Sequence, residues 1–394
     1  MKKIVIASGY GIASLGDEAL LHALVNGITS RLGSIALTII SRQAMLPFFD
    51  DENARLWSDV ADRMKLSRDG LVRRLTTPGV EIGDIVEGGM NWRDRADNNL
   101  WPAIEAADLV IVGGGGLFHD TNSRFIYGPL TVYPGLITAA KAMGKPVVVA
   151  GVSVGPLASG WGRAVVRAAL QGIPVIVRDR PSQSLLRELG IESEVLPDLS
   201  LALDPLPVEL PMAGQLLGVA PIWLDSFADW LPDFIKGLQM VMRGTGLTPA
   251  LIPHCTYQRY PIDDDTNICN SIIPFLTAHS GAPMLVQEDP YDPETALGVY
   301  GCFAAAVTIR MHGAAFAARM GVPFTSLAYW PKVGGFCEWY GKPVYPLEGL
   351  DWVHAFLEQW EHRDEEATRI RARTEELRAL LPRYWDVIEE AIGG

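Results

Sequence analysis

Arg310-Met311-His312-Gly313, preceded by the apolar run Ala306-Val307-Thr308-Ile309, is the stretch of this 394-residue chain whose residue types most directly imply chemistry. A buried strand would carry a guanidinium and an imidazole to its carboxyl end, and Gly313 would open a helix whose first N–H groups lack intrahelical acceptors. Together these donors suit a phosphate or a carboxylate. The bland alternative is a structural Arg–carboxylate pair with a capping histidine. Arg178, in Val177-Arg178-Asp179, also follows an apolar run and is a second candidate for anion binding, or else the partner of Asp179 or another acid.

Glycine-rich loops supply the remaining candidates. Gly113-Gly114-Gly115-Gly116-Leu117-Phe118-His119-Asp120 sets four glycines after an apolar run, which costs stability and usually lets a ligand approach the backbone. Gly114 and Gly115 would line such a site, with His119 and Asp120 as polar contacts or an oriented base. The loop from Gly9 to Ala19 has neither the G-x-G-x-x-G spacing nor the lysine of a P-loop, so it supports neither NAD nor nucleoside triphosphate binding. Gly16, Asp17 and Glu18 at its end could contact sugar hydroxyls; the plainer reading is two acids balancing a helix dipole. His254, near Tyr257 and Arg259, is a further candidate for a cleft. Asp263-Asp264-Asp265 reads as a helix cap rather than a metal site. Tyr329, Trp330, Phe336, Trp339 and Tyr340 read mostly as core, with a sugar-stacking wall as the alternative. No acidic or histidine cluster has the spacing of metal ligands, so no metal is expected.

These side chains need a scaffold that brings strand ends together. Apolar runs at 4–7, 36–40, 109–112, 147–150 and 173–177 alternate with helical stretches such as 16–28 and 182–189. That rhythm predicts a parallel, doubly wound sheet with ligands beyond the carboxyl ends of its strands. The glycines after 112 and 150 are expected to close their strands as turns. Residues 45–100 are charged, Trp-bearing and irregular, and are expected to cover the mouth of a site. Pro205, Pro207 and Pro211 mark a stiff linker. After it the rhythm restarts, with strands at 216–222, 250–253, 284–287, 306–309 and 324–327. Helices are expected at about 226–243, 264–279, 293–303, from 312, at 351–361 and at 364–392. The predicted class is α/β, two doubly wound Rossmann-like domains facing across a cleft and resembling the GT-B architecture. The domains are 1–203, a linker at 204–213, and 214–362, with 363–394 packing back on the first.

Composition narrows the function classes. With 48% hydrophobic and 20% charged residues the chain is ordinary globular protein, long enough for about two cores. A formal net charge of −13 argues against a general nucleic-acid binder, while leaving room for an anion held by a few local arginines. Cys255, Cys269, Cys302 and Cys337 are too far apart for a zinc ribbon and read as buried free thiols of a reducing compartment. No apolar stretch approaches the ~20 residues that span a bilayer, and the N-terminal apolar run is too short for a signal peptide. The expected location is cytoplasmic, compatible with peripheral contact at the inner face of a membrane.

Gly16-Asp17-Glu18-Ala19, Gly113-Gly114-Gly115-Gly116, Gly151-Val152-Ser153-Val154-Gly155-Pro156, Val177-Arg178-Asp179 before Ser182, Leu196-Pro197-Asp198 and Arg310-Met311-His312-Gly313 occur in that order. The ordered set, spread over about residues 4–340, resembles the polysaccharide pyruvyl transferase family. The resemblance implies a GT-B-like enzyme with phosphoenolpyruvate as donor substrate and no cofactor. Such an enzyme attaches pyruvate as a cyclic ketal to two hydroxyls of a sugar, in a cell-surface polysaccharide such as an exopolysaccharide of the cell envelope or in its lipid-linked oligosaccharide precursor. It implies that Arg310, Met311 through its backbone, His312 and Gly313 hold phosphoenolpyruvate, with Arg178 reaching it from the other domain. The acceptor sugar would meet Gly16, Asp17, Glu18, Gly114, Gly115, His119, Asp120 and His254. The expected catalytic set is His312, Arg310, Asp17 and His119. The first loop is longer than the usual Gly-Asn-x-Gly-Asp-Glu form, and Met311 stands where Leu is common. Two rival readings are a GT-B nucleotide-sugar glycosyltransferase and a non-catalytic sugar- or phosphate-binding homologue.

Overall fold

The computed structural model describes residues 1–9, 14–40, 80–86, 100–120, 129–210, 215–224, 226–256, 264–276, 284–285 and 292–393. The chain forms two compact units: Met1–Ile12, Leu20–Leu199 and Leu380–Gly394 make unit 1, and Ala13–Ala19 with Ser200–Ala379 make unit 2.

Unit 1 runs β1 (Lys2–Ala7), α1 (Leu15–Leu32), β2 (Ile35–Ile40), β3 (Val80–Val86), α2 (Leu100–Ala106), β4 (Leu109–Phe118), α3 (Pro129–Ala142), β5 (Val147–Val154), α4 (Gly160–Leu170), β6 (Val175–Val177), α5 (Arg180–Glu188) and β7 (Glu194–Val195). All seven strands are parallel, in the order β3-β2-β1-β4-β5-β6-β7. Central strands of such a sheet are covered on both faces, so they are apolar throughout rather than alternating; every residue of β5, VVVAGVSV, is buried. Val110, Val112, Val149 and Val177 pack against Leu136, Ile137, Val166 and Leu186 of the covering helices.

Unit 2 repeats the plan. After a single 3₁₀ turn (Leu199–Ala202) come β8 (Leu216–Ala220), α6 (Phe227–Thr245), β9 (Thr248–Leu251), α7 (Asp265–Leu276), β10 (Met284–Leu285), α8 (Pro293–Tyr300), β11 (Phe303–Thr308), α9 (Met311–Arg319), β12 (Phe324–Leu327), α10 (Pro331–Glu338), β13 (Val344–Tyr345), α11 (Asp351–Glu361) and α12 (Arg363–Arg378). Its parallel sheet is ordered β10-β9-β8-β11-β12-β13. Val219, Leu251, Val307 and Leu327 pack with Trp230, Phe234, Ile268, Trp352 and Phe356. In each sheet the winding direction reverses once, between β1 and β4 and between β8 and β11, and the carboxyl ends flanking such a reversal are where open α/β sheets bind ligands.

The last helix, α13 (Pro382–Gly393), belongs to unit 1. Tyr384 Oη donates to the Pro197 carbonyl at 3.1 Å, and Arg383 pairs with Glu194 at 2.8 Å. The single helix predicted over 364–392 is therefore two. Thr374 of α12 donates to the Ala318 carbonyl inside unit 2, and Pro382, suited to a first helical position, starts the helix that returns to unit 1.

Other expectations are corrected by the structure. The four glycines do not close β4 as a turn, nor does Gly151 close β5: both strands run on, to Phe118 and Val154. Gly114, Gly115 and Gly151 take φ of 83°, 84° and 71°, a left-handed backbone that glycine adopts without strain. The ladder shifts register between Ala150 and Val152, so Gly151 forms a bulge inside the sheet, and between Gly116 and Phe118, at Leu117; Gly113 to Gly116 keep their register with β5. Of the segment 45–100 expected to be irregular, Val80–Val86 is an edge strand and Leu100 begins a helix; 41–79 and 87–99 lie outside the described residues, as do Tyr257, Arg259 and Asp263. The proline-rich stretch is bonded to unit 2 over its described part. Arg319 Nε donates to the Leu203 carbonyl at 2.8 Å, Arg319 and Arg378 pair with Asp204, and Leu206 N donates to the Glu294 carbonyl, which ties the stretch to unit 2.

Candidate functional site

The reversal point of the unit 2 sheet gathers the strongest candidates. Ile309 N and Arg310 N both donate to the Ala220 carbonyl, at 2.9 and 3.2 Å, which clamps the end of β11 to the end of β8. Arg310 is extended (φ −67°, ψ 127°) and precedes α9, which has no side-chain cap. The positive end of the helix dipole thus sits at the strand end beside the guanidinium.

Arg310 is held by Asp265, the first residue of α7: Nε donates to Oδ2 at 2.8 Å and Nη2 to Oδ1 at 2.6 Å. Asp265 is wholly buried, while the Arg310 side chain keeps 20% of its surface exposed. Burial alone would lower the proton affinity of this guanidinium; the Asp265 carboxylate outweighs it and holds the group above its ordinary value, so Arg310 stays cationic. Asp265 is the residue that sequence reasoning missed. Its place in an acidic run at a helix start reads as a cap, and that role falls in part to Asp264, whose Oδ1 accepts from Thr266 N at 2.9 Å.

His254 follows β9 and lies beneath the strand ends rather than at their surface, at 3% exposure. Its Nε2 is 2.7 Å from Tyr300 Oη, and its ring packs on Phe316. Burial first, then the neighbouring charges of His312 and Arg310, push its pKa well below the ordinary value, so the imidazole is neutral. Nδ1 has no partner among the described residues. A direct sugar contact by His254 does not fit this burial; its backbone carbonyl instead receives Leu15 N at 2.8 Å, and Cys255 bridges Ser14. These bonds explain why Ala13–Ala19 groups with unit 2.

The same bonds bring together two motifs far apart in sequence. The imidazole of half-buried His312 lies directly on Gly16, so that any side chain at position 16 would overlap the ring. Asp17, half-buried, and Glu18, 5% exposed, continue this first turn of α1. Met311 is buried at 3%. Gly313 does not open the helix and is needed for packing. A Cβ there would stand 2.8 Å from Ala220 Cβ and 3.0 Å from Tyr300 Oη, and its N–H already bonds the Arg310 carbonyl.

The other candidates are in unit 1. Arg178, 3% exposed, follows β6 and donates through Nη1 to Asp198 Oδ2 at 2.8 Å and through Nε to Ser153 Oγ at 2.9 Å. Ser153 Oγ donates in turn to Asp179 Oδ2 at 2.7 Å, and Asp179 Oδ1 caps α5 at Ser182 N. Its acid is thus Asp198, not Asp179. Gly114 lies within β4, its carbonyl accepting Ser8 Oγ at 2.8 Å, and Gly115 is beside it. His119, half-buried, follows β4. Asp120 serves a structural role, since Oδ1 accepts from Ala158 N at 2.8 Å and Oδ2 from Ser159 N at 2.7 Å.

Burial opposes ionisation of Asp120, but the Ser159 and Ala158 N–H groups prevail and lower its pKa. A lowered carboxyl supplies stability in full above its unfolded pKa and loses it as pH falls through the folded one. Wild type is therefore expected to lose more stability than Asp120→Asn on acidification below about pH 4, measured as melting temperature against pH. Equal losses would contradict the assignment. Among the described residues no group of three or more His, Cys, Asp or Glu could hold a metal ion, and no helix is long and apolar enough to cross a membrane.

Two Rossmann-like units, with the best candidate anion pocket at a reversal point, define an α/β protein of the GT-B-like class. The fold is similar to that of a UDP-GlcNAc 2-epimerase from Neisseria meningitidis bound to UDP-GlcNAc, with TM-score 0.56, 12% identity, and 100% of this chain and 99% of that one covered. It is similar also to a UDP-glucosyltransferase from Polygonum tinctorium (TM-score 0.54, 11% identity, 100% and 99% covered) and a glycosyltransferase from Rickettsia africae (0.54, 13%, 98% and 98%). No curated protein matches the sequence. The polysaccharide pyruvyl transferase family model matches residues 15–331, and the chain belongs to that family.

Proposed function

We propose that this protein transfers the pyruvyl group of phosphoenolpyruvate to two hydroxyls of a sugar in a cell-surface polysaccharide or its lipid-linked precursor, forming a cyclic ketal. The carrying observation is cationic Arg310, steadied by Asp265 beside the uncapped start of α9 and next to His312. Family membership supports pyruvyl transfer to a polysaccharide, and this pocket suits a donor bearing both a carboxylate and a phosphate.

In the proposed reaction a proton adds to C3 of the enol phosphate, which makes C2 electrophilic. One sugar hydroxyl adds to C2 and loses its proton, inorganic phosphate departs, and the second hydroxyl closes the ring and loses its proton. The two protons released balance the one gained by C3 and the one taken by phosphate. Arg310 and the α9 terminus would stabilise the departing phosphate. His312 would bind the phosphate or pass a proton to it. Asp17, one residue from the glycine that His312 covers, is assigned to deprotonating the acceptor. Action at the inner face of a membrane, on a lipid-linked acceptor, is part of the same proposal.

Phosphoenolpyruvate is expected to raise the melting temperature, because a ligand at ~100 times its Kd stabilises by about 2.7 kcal/mol. UDP and GDP are expected to have no such effect. A shift with a nucleotide alone would replace this reading by nucleotide-sugar glycosyl transfer. Binding of phosphoenolpyruvate without phosphate release in an acceptor screen would point to a non-catalytic binder.

A further inference from the structure

Of the residues assigned to the donor in the proposed reaction, Asp265 touches only Arg310, yet its carboxylate is the most heavily bonded group at the site. Oδ1 accepts from Trp223 N at 3.3 Å and from Arg310 Nη2 at 2.6 Å. Oδ2 accepts from His254 N at 3.2 Å, Cys255 N at 3.0 Å and Arg310 Nε at 2.8 Å. Trp223 follows β8, His254 and Cys255 follow β9, and Arg310 follows β11. One buried carboxylate therefore binds the chain beyond three strands that are adjacent in the sheet, and fixes the guanidinium relative to all of them.

We infer that Asp265 is a positioning residue of the anion site: it occupies the Nε–Nη2 edge of Arg310, so that the substrate anion is met end-on, by Nη1 and the remaining Nη2 hydrogen. No acceptor takes Nη1 among the described residues. Of the two edges that can grip a carboxylate or phosphate with two parallel bonds, the Nε–Nη2 edge is closed to the ligand and the Nη1–Nη2 end stays open. The arginine is instead preorganised, its rotamer set by a partner outside the ligand shell. Asp265 also offsets the Arg310 charge, which leaves the α9 terminus and His312 to supply the remaining attraction for the anion.

This inference rests on the phosphoenolpyruvate reading, and two readouts separate their fates. The first is phosphoenolpyruvate affinity by calorimetry in wild type, Asp265→Asn, Arg310→Met and the double variant. Asp265→Asn is expected to weaken binding by about tenfold or more. In the double variant the loss should be no greater than in Arg310→Met alone, because Asp265 acts through Arg310. Losses that multiply would overturn the inference, as would unchanged binding in Asp265→Asn. The second readout needs no ligand: the Arg310 Nε–H resonance, assigned by its absence in Arg310→Met, should exchange slowly with water in wild type and be lost in Asp265→Asn. Its persistence there would overturn the inference. If wild type binds no phosphoenolpyruvate the functional reading fails, and the positioning role stands or falls on this resonance. Should Asp265→Asn not fold, Asp265→Glu, which keeps the charge but shifts it by one methylene, is carried through the same two readouts. Unchanged affinity and an unchanged resonance in it would overturn the inference, and a loss in both would support it.

Discussion

Arg310→Met is expected to remove most of the stabilisation by phosphoenolpyruvate and to cut turnover by about 100- to 1,000-fold, the size of effect seen when one charge-stabilising donor is removed from a reacting centre. The ground-state share is smaller, about 1.5–3 kcal/mol for a hydrogen bond to a charged group. The variant should also melt lower without ligand. Asp265 is wholly buried, and removing its cation leaves an uncompensated charge, a change worth up to about 3–5 kcal/mol. The three backbone N–H groups that remain on the carboxylate reduce that penalty. Arg310→Lys separates the two effects: it restores a cation but not the planar fork, so it should recover more of the melting temperature than of the turnover. Calorimetry and phosphate-release assays on the three proteins decide it. Full turnover in Arg310→Met would remove the arginine from the mechanism.

Gly16→Ala is the second substitution with a large expected effect, because the added methyl would occupy space filled by the His312 imidazole. The first turn of α1 is not free to retreat, since Leu15 N is bonded to the His254 carbonyl and Ser14 pairs with Cys255. The ring must therefore swing out. Overpacking of this kind costs about 1–3 kcal/mol, and the displaced imidazole should carry most of the activity with it. Steric rescue tests the cause. In the double variant Gly16→Ala/His312→Ala the methyl fits the space the ring has left, so the double variant should melt close to His312→Ala and above Gly16→Ala. Additive loss would mean that Gly16 is needed for some other reason.

Much of this architecture is legible in local pattern. Strand Phe324–Leu327 and helix Asp351–Glu361 have the bounds that periodicity predicts, and the restart of the βα rhythm after the prolines matches the second parallel sheet. What fails is what depends on distant partners. A run of glycines signals a break to any local reading, yet β4 keeps pairing with β5: Gly113 to Gly116 stay in register although Gly114 and Gly115 are left-handed, and the ladder shifts only beyond them, between Gly116 and Phe118. Asp265 looks like a cap because its acidic neighbours and helix start are local facts, whereas Arg310 lies 45 residues away. A usable signal was present, since both residues follow strands that flank β8. That Gly16 and His312 touch has no trace in either motif alone. The break in the C-terminal helix was visible at Pro382, a residue that commonly begins a helix.

The order of the units along the chain has a consequence for biosynthesis. Unit 1 is discontinuous: all of Ser200–Ala379 is translated before the residues of α13 that complete it. At ~5–20 residues per second that interval is roughly 10–40 s. During it the contacts that Tyr384 and Arg383 make with Pro197 and Glu194 cannot form. The unit whose synthesis starts first is therefore completed last, by the helix that follows unit 2 in the chain.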